Sequence, residues 1–403
     1  KEFTTYLARC SYLLERGQSV SDVLWYIGDE ISHKPDQEYP FPAGYKYDYC
    51  NPDVLLNRLS VKDGLVVTPE GLSYKFIWIP ENKRMLPETL EKLHALLEQG
   101  ATVVANAPQR ICTLAGGDET QGRFDKNVEA IWGKAADGAI TTIGKGRLLA
   151  GVTIEKAIEL LDLKQDVQGD VRWLHRHVKG ADWYFITPEK QQAFKGKVSF
   201  RAQGAAELWD PITGEITPLN VERQGEYASI ELDMPKAGSC FVVFNHNKKQ
   251  QKVEKVELAN TQSIDNKWTV QFPEGWGAPA ELEIETLAPW CELPMSKEGQ
   301  AFSGSATYTT TFNWSNESKE VVLDLGKVSM IAEVFVNDQK VRTLWCTPYA
   351  ADITSYLKPG ENKLQVKVTS TWFNRLAFDA SLPETERKTW TIEGPKADAK
   401  LKE

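Results

Sequence analysis

Lys75-Phe76-Ile77-Trp78-Ile79, then Pro87 to Gln99 with Leu90, Leu93, Leu96 and Leu97 on one helical face, then Gly100 and Thr102-Val103-Val104-Ala105, form the stretch that decides the first fold class. The two outer runs are apolar and of strand length. Between them the leucines recur three and four apart, as on one side of a helix. Gly100 supplies the stop. A strand, a helix and a strand joined by short connections predict parallel pairing with the helix across one face of the sheet.

The same alternation extends in both directions. Upstream, Phe3, Leu7, Cys10 and Leu14 mark an amphipathic helix over 3–16, stopped by Gly17, and Val23 to Ile27 is an apolar strand, so helix then strand opens an α/β layer. Pro35 to Tyr49 reads as a loop, and Asn51-Pro52 as the N-cap and first-turn proline of a helix over Val54 to Leu59. Downstream come a helix near Phe124 to Trp132, a strand at Arg147 to Ala150 and a helix at Ile154 to Leu161. Residues 1–165 are therefore expected to form an α/β domain whose parallel sheet is covered on both faces.

After Asp170 the period changes. Arg172 to Arg176 and Asp182 to Ile186 flank Lys179-Gly180 as two arms of a hairpin, and Glu207 to Trp209 with Glu215 to Thr217 flank Asp210-Pro211-Ile212-Thr213-Gly214 as another. Cys240 to Phe244 closes a small antiparallel domain, a β-sandwich over 170–247, and polar Asn245 to Lys252 reads as a linker. Lys267 to Phe272, Glu281 to Leu287, Ala306 to Phe312, Glu320 to Leu325, Ala332 to Val336 and Lys363 to Thr369 are regularly spaced strands. With turns at Asn337-Asp338 and Pro359-Gly360 they predict a jelly roll over 253–393, and the charged tail 394–403 is expected to fray. The fold class is thus multidomain, α/β plus all-β.

Composition narrows the function classes. With 403 residues the chain has room for two to four domains of roughly 150 residues. A net charge of -9 without any Lys/Arg run argues against nucleic acid. No apolar run approaches a membrane span and no export leader is visible. The opening Lys1-Glu2-Phe3, without an initiator Met, reads as the interior of a longer protein. The six cysteines include no C-x-x-C pair, so neither zinc nor a dense disulfide scaffold is indicated. The 13 Trp and 13 Tyr suit sugar-binding surfaces and β-sandwich cores alike.

Three stretches carry a family resemblance: Tyr6 to Leu14 with Asp22-Val23-Leu24, the loop Tyr47 to Asp53, and Trp173-Leu174-His175-Arg176 with Asp182-Trp183-Tyr184-Phe185. Together they resemble the region that follows the catalytic barrel in family 106 glycoside hydrolases, the α-L-rhamnosidases. Phe302 to Tyr308, Leu323 to Val328, Ala332 to Asn337, Trp345, Pro348-Tyr349, Asp352-Ile353-Thr354 and Trp372 to Leu376 are similar to the galactose-binding-like module shared with family 2 glycosidases. The resemblance implies inverting hydrolysis of α-L-rhamnosides in plant polysaccharides, with calcium assistance, by a secreted or periplasmic bacterial enzyme. It also implies that the acid and base carboxylates sit in an upstream barrel, a partner within the same protein. No catalytic residue is therefore assigned here, and no cofactor is evident in the chain.

Several residues remain candidates for substrate contact. Asp29 and Glu30 follow the first strand at the carboxyl edge of a parallel sheet, where ligands gather; solvated loop charge is the plain alternative. Tyr45, Tyr47, Asp48, Tyr49 and Asn51 combine aromatics, a carboxylate and an amide, the set that stacks on and hydrogen-bonds to sugar rings. Their plain alternative is tyrosine packing and a helix cap. His175 and His177 are read as facing opposite sides of a strand, which excludes a shared metal and leaves His175 as a candidate interface or substrate residue. Trp345, Tyr349 and Trp372 are either core aromatics or sugar contacts.

The α/β domain is also similar to the amidotransferase-like domain of some glycosidases. Its strand ends, Pro80-Glu81-Asn82 and Asn106-Ala107-Pro108, lack the nucleophilic Cys which that activity needs. Two other readings stay open: a stand-alone carbohydrate-binding scaffold, and part of a family 2-like or 42-like β-galactosidase.

Overall fold

In a computed structural model of the chain the strands Val23–Tyr26, Phe76–Ile79, Thr102–Ala105 and Gly146–Leu149 lie parallel in one sheet. The structure describes residues 1–30, 41–80, 83–253, 260–315, 320–396 and 398–402. Side chains alternate across the sheet, as the period of two requires. Leu24, Tyr26, Ile77, Ile79 and Val103 enter a core with Leu90, Leu93, Leu96 and Leu97, while Val23, Trp25, Phe76, Trp78 and Val104 meet Ile154, Ala157 and Ile158 on the other face. The four helix leucines are at most 1% exposed, each contributing about 1.5–3 kcal/mol of burial. The two-sided cover expected from the sequence is thus present.

Both sheet edges depart from the expectation. Ile140–Ile143 runs antiparallel to Gly146–Leu149 through a turn at Gly144, so the sheet is mixed. At the other edge Tyr47–Cys50, read from sequence as the end of a loop, is a parallel strand whose Leu24↔Asp48 and Tyr26↔Cys50 register sends Tyr47 and Tyr49 to one face. Residues 31–40 of that loop lie outside the described residues.

The helix Glu2–Leu14 also differs. From Tyr6 onward it packs on the antiparallel region rather than on the parallel sheet: Cys10 clusters with Trp183, Phe241 and Val243, and Arg9 Nη1 donates to the carbonyls of Pro211 and Ile212 at 3.0 and 2.8 Å. The wide aromatic face of that sheet is what the helix covers.

The predicted hairpin forms, with Val171–Val178 paired to Ala181–Pro188 from Val171↔Pro188 to Val178↔Ala181. Cys240–Asn245 lies between Ala181–Pro188 and Ala205–Trp209. The second, four-stranded sheet is built on Phe194–Phe200 and Tyr227–Met234, strands that the sequence reading did not name, and a core containing Trp173, Tyr184, Val242, Val198, Phe200 and Ile230 draws on both sheets. The stretch read as a linker is partly anchored: Lys248 Nζ pairs with Glu207 at 2.6 Å, and Gln250 accepts the Ala206 N–H at 3.0 Å. Residues 254–259 are outside the described set.

By contact the chain separates into two compact units, Tyr6–Glu254, which holds all the sheets above, and Lys1–Thr5 with Lys255–Glu403. In the latter, Ser305–Trp314 pairs with Gly360–Thr369 along ten residues of a six-stranded antiparallel sheet, and Val322–Asp324 with Ala350–Asp352 makes a short second sheet. The Asn337-Asp338 turn has both residues at positive φ, 50° and 63°, as a two-residue hairpin requires. A helix at Phe373–Ala380 was not foreseen. The protein is sheet-rich and multidomain, with seven α-helices among the described residues. None is long and apolar enough to cross a membrane.

One local expectation is quantitative. Asn51 Oδ1 accepts the Val54 N–H at 2.9 Å and Pro52 opens the helix Pro52–Arg58. Asn51→Ala is expected to cost about 1 kcal/mol, measurable as a lowered urea midpoint.

Candidate functional site

The densest gathering of reactive side chains is where the 171–188 hairpin meets the start of the first strand. Residues two apart on a strand share a face, so His175 and His177 point the same way, which corrects the opposite-face reading. Both reach Asp182 Oδ1 on the paired strand, His175 Nε2 at 3.1 Å and His177 Nδ1 at 2.7 Å. His246 Nε2 contacts Asp182 Oδ2 at 2.8 Å. The other ring nitrogen of His175 meets Asp166 Oδ2 at 2.7 Å, and the ring stacks on Tyr184 with centroids 4.0 Å apart.

Asp166 is itself 1% exposed and also accepts from Tyr184 Oη at 3.1 Å. Arg201 lies beside it and donates to Asp22 Oδ1 at 2.9 Å. The carbonyl of Gly44 accepts the Asp166 N–H at 2.7 Å; at φ 83° a Cβ there would sit 2.6 Å from the Val167 carbonyl, so the approach demands glycine.

A ring held between two carboxylates can donate to both only as the imidazolium. Burial opposes that charge, but the hydrogen bonds and charges of Asp166 and Asp182 outweigh it, and the His175 pKa is raised. Burial likewise pushes the Asp182 carboxyl up, and His175 and His177 pull it down further, to about 2. Burial raises Asp22 despite Arg201.

The linkage signs follow. His175, raised on folding, contributes stability below the unfolded imidazole value of about 6.5 and loses it as pH climbs through the folded one. Asp182, depressed, contributes above about 3.9 and loses it as pH falls toward 2. Thermal melts are therefore expected to peak between these limits and decline on the alkaline side. The decline should flatten in His175→Gln; wild-type melts level from about pH 6 to about pH 9 would rule out a charged His175.

These groups border a cavity of about 430 Å³, whose walls include Ser21, Asp22, Lys75, Asp166, His175 and Asp182. Of the sequence candidates, only His175 is on it. Asp29 is committed elsewhere: its carboxylate accepts from Tyr26 Oη, from Thr89 Oγ1 at 2.6 Å and from the Leu86 N–H at 2.7 Å, capping the helix Pro87–Gln99. Glu30 pairs with Arg84 at 2.8 Å. Tyr45 donates to the Leu163 carbonyl at 2.8 Å, and Tyr74 to Asp48 at 3.0 Å. Tyr47 and Tyr49 each sit 5.1 Å from the Trp25 ring, with Tyr49 39% exposed, so one tyrosine of the loop is open at the sheet edge.

In the other unit Trp345 meets Phe3 edge-on at 5.3 Å, and Tyr349 is buried and donates to the Met330 carbonyl at 2.7 Å. Trp372 packs on Trp276 at 5.1 Å and is 45% exposed. Asp166, Asp182, His246 and Arg201 were missed from sequence. Only Asp182, two residues from the strand partner of His175, was visible as part of a hairpin; the others come from distant segments.

Known proteins share this architecture. The family model described as alpha-L-rhamnosidase, glycoside hydrolase family 106, matches residues 1–223, and the glycosyl hydrolase 2 galactose-binding domain-like model matches residues 296–399. A solved rhamnosidase from Novosphingobium sp. PP1Y superposes with a TM-score of 0.90 at 30% identity, covering 100% of this chain and 39% of that one. A Formosa agariphila protein provisionally named a beta-glucuronidase is 29% identical over 276 residues, 65% of this chain and 23% of that protein. The chain thus spans under two fifths of the solved relative and under a quarter of the curated one.

Proposed function

Because the chain belongs to the α-L-rhamnosidase family 106 of glycoside hydrolases, we propose that it is the accessory portion of an enzyme that cleaves α-L-rhamnosides of plant polysaccharides, with the catalytic barrel supplied by another part of the same protein. The observation that carries this reading is the commitment of its candidate carboxylates. An inverting pair needs one protonated and one ionised carboxyl group roughly 6.5–9.5 Å apart across an open cleft. Asp29 caps a helix, Glu30 and Asp48 have Arg84 and Tyr74, and Asp166 and Asp182 hold His175.

On this reading residues 1–165 form an amidotransferase-like α/β domain, 170–247 a small β-sandwich and 253–393 a galactose-binding-like jelly roll. The partners are a rhamnose-containing glycan and the barrel, and the setting is periplasmic or secreted. The calcium implied by the family finds no fit here. Among the described residues no group of three or more His, Cys, Asp or Glu is placed to hold an ion. The Asp182 cluster is rich in imidazole, whereas calcium takes six to eight oxygen ligands.

Turnover of an aryl α-L-rhamnoside, measured for this chain and for the full-length protein, tests the reading. Turnover by the full-length protein alone is expected. Turnover by the isolated chain that disappears on replacing Asp29, Glu30 or Asp48 would overturn it. The match of residues 296–399 to a galactose-binding-like domain, with Trp372 half-exposed, favours a carbohydrate-binding scaffold as the second reading. Trp fluorescence quenched saturably by glycan and lost in Trp372→Ala would support that one.

A further inference from the structure

The charged tail, expected from the sequence to fray, is held at one residue that belongs to no helix or strand. The side-chain carboxamide of Asn374, in the first turn of the helix Phe373–Ala380, meets the backbone of Lys402 twice: Nδ2 donates to the Lys402 carbonyl at 2.8 Å, and Oδ1 accepts the Lys402 N–H at 2.8 Å. A carboxamide offers a donor and an acceptor side by side, as a peptide group does. Asn374 therefore receives Lys402 as a partner strand would, in the reciprocal manner of a hydrogen-bonded antiparallel pair.

Two further groups converge on the same residue. The Lys402 ammonium lies 4.2 Å from the centre of the Phe373 ring, and Cys291 Sγ, 111 residues away in the chain, donates to the Lys402 carbonyl at 3.8 Å. Exposure along the tail alternates, with Ala399 and Leu401 half-buried and Asp398, Lys400 and Lys402 exposed, the pattern of an extended segment lying on a surface. Upstream, Asp379 accepts the N–H and the hydroxyl of Thr389, so the chain is fastened at 389 and again at 402, while Trp390 and Ile392 between them are 78% and 90% exposed. The second fastening consists of ordinary hydrogen bonds and one exposed cation–ring contact, set against the conformational freedom of the tail, so it can open and close.

We propose that residues 398–402 form a reversible strap, docked through the Asn374 carboxamide, that covers the Phe373 ring and governs access to the Cys291 thiol. The site reads the backbone of its occupant, and the Phe373 ring adds a preference for a cationic side chain. The inference goes beyond the accessory role above and does not rest on it.

Alkylation of the 403-residue chain with iodoacetamide, followed peptide by peptide by mass spectrometry, tests it. Asn374→Ala is expected to speed modification of Cys291 at least about fivefold through loss of the paired hydrogen bonds, while Cys112 in the other unit keeps its rate. Because Asn374 is next to the buried Arg375, Lys402→Pro serves as a second variant: it removes the N–H donor from the tail, leaves the helix untouched and should also speed Cys291. Lys402→Ala keeps both backbone groups and should give a smaller increase. Hydrogen exchange reads the docking directly, since the Lys402 N–H should be protected in the wild type and lose that protection in Asn374→Ala. Equal Cys291 rates in the wild type and Lys402→Pro, or a wild-type Lys402 N–H that exchanges as in an unstructured peptide, overturns the strap. An increase in Lys402→Ala as large as in Lys402→Pro would place the hold in the ammonium and overturn docking through Asn374.

Discussion

Asp166→Ala is expected to destabilise the unit Tyr6–Glu254 by about 3–5 kcal/mol, the usual cost of removing one partner from a buried charge pair. The carboxylate is 1% exposed and meets His175, Tyr184 and Arg201 together. Its loss leaves His175 with one carboxylate partner, the Tyr184 phenol with only the Arg201 carbonyl at 3.5 Å, and Arg201 with Asp22 as its remaining carboxylate. The effect reaches beyond one strand, because Asp166 precedes Val167–Gln168, His175 is on the central hairpin and Asp22 enters the parallel sheet. Urea unfolding followed by tryptophan fluorescence measures it. Asp166→Asn, which keeps the shape and one acceptor, should lose less; equal losses would mean that packing rather than charge is at stake.

The second large effect is expected in the other unit, from Arg375→Met. Arg375 is fully buried and pairs with Asp379 at 2.5 Å and Glu298 at 2.8 Å. Asp379 in turn accepts the backbone N–H groups of Lys388 and Thr389 at 3.1 and 2.7 Å, and the Thr389 hydroxyl at 2.7 Å. One buried ion pair thus ties the helix Phe373–Ala380 to the segment beyond it. Methionine fills most of the space but strands Asp379, with a cost again of about 3–5 kcal/mol. Limited proteolysis is the sharper readout, since cleavage near Trp390, which is 78% exposed, should accelerate in the variant. Unchanged cleavage would show that the segment is held by other contacts.

Legibility in the sequence followed the range of the interactions. The strands at 76–79 and 102–105 and the leucine face between them were readable because alternation and 3.6-residue spacing are local signals. So was the Asn51 cap, which reaches only to Val54. Tyr47–Cys50 was missed because an edge strand of four residues flanked by proline and glycine carries little signal of its own and is set by pairing with Val23–Tyr26. Phe373–Ala380 was missed because its buried face carries Arg375 and Asp379, charges that pattern reading sends to solvent.

By itself the sequence determined the order of α/β and antiparallel parts, the covered sheet and the family resemblance. All of these rest on periodicity, composition or contiguous motifs. Only the tertiary structure decided that Asp29 is a helix cap rather than a substrate contact, and that His175 is a buried ring held between two carboxylates. It alone gathered Asp22, Asp166, Asp182 and Arg201 around one cavity and set His246 against Asp182. Those side chains lie up to 224 residues apart in numbering, from 22 to 246, and no local pattern links them. Their partnership exists because folding brings the hairpin, the first strand and the 201 turn to one place, where burial makes each charge depend on the others.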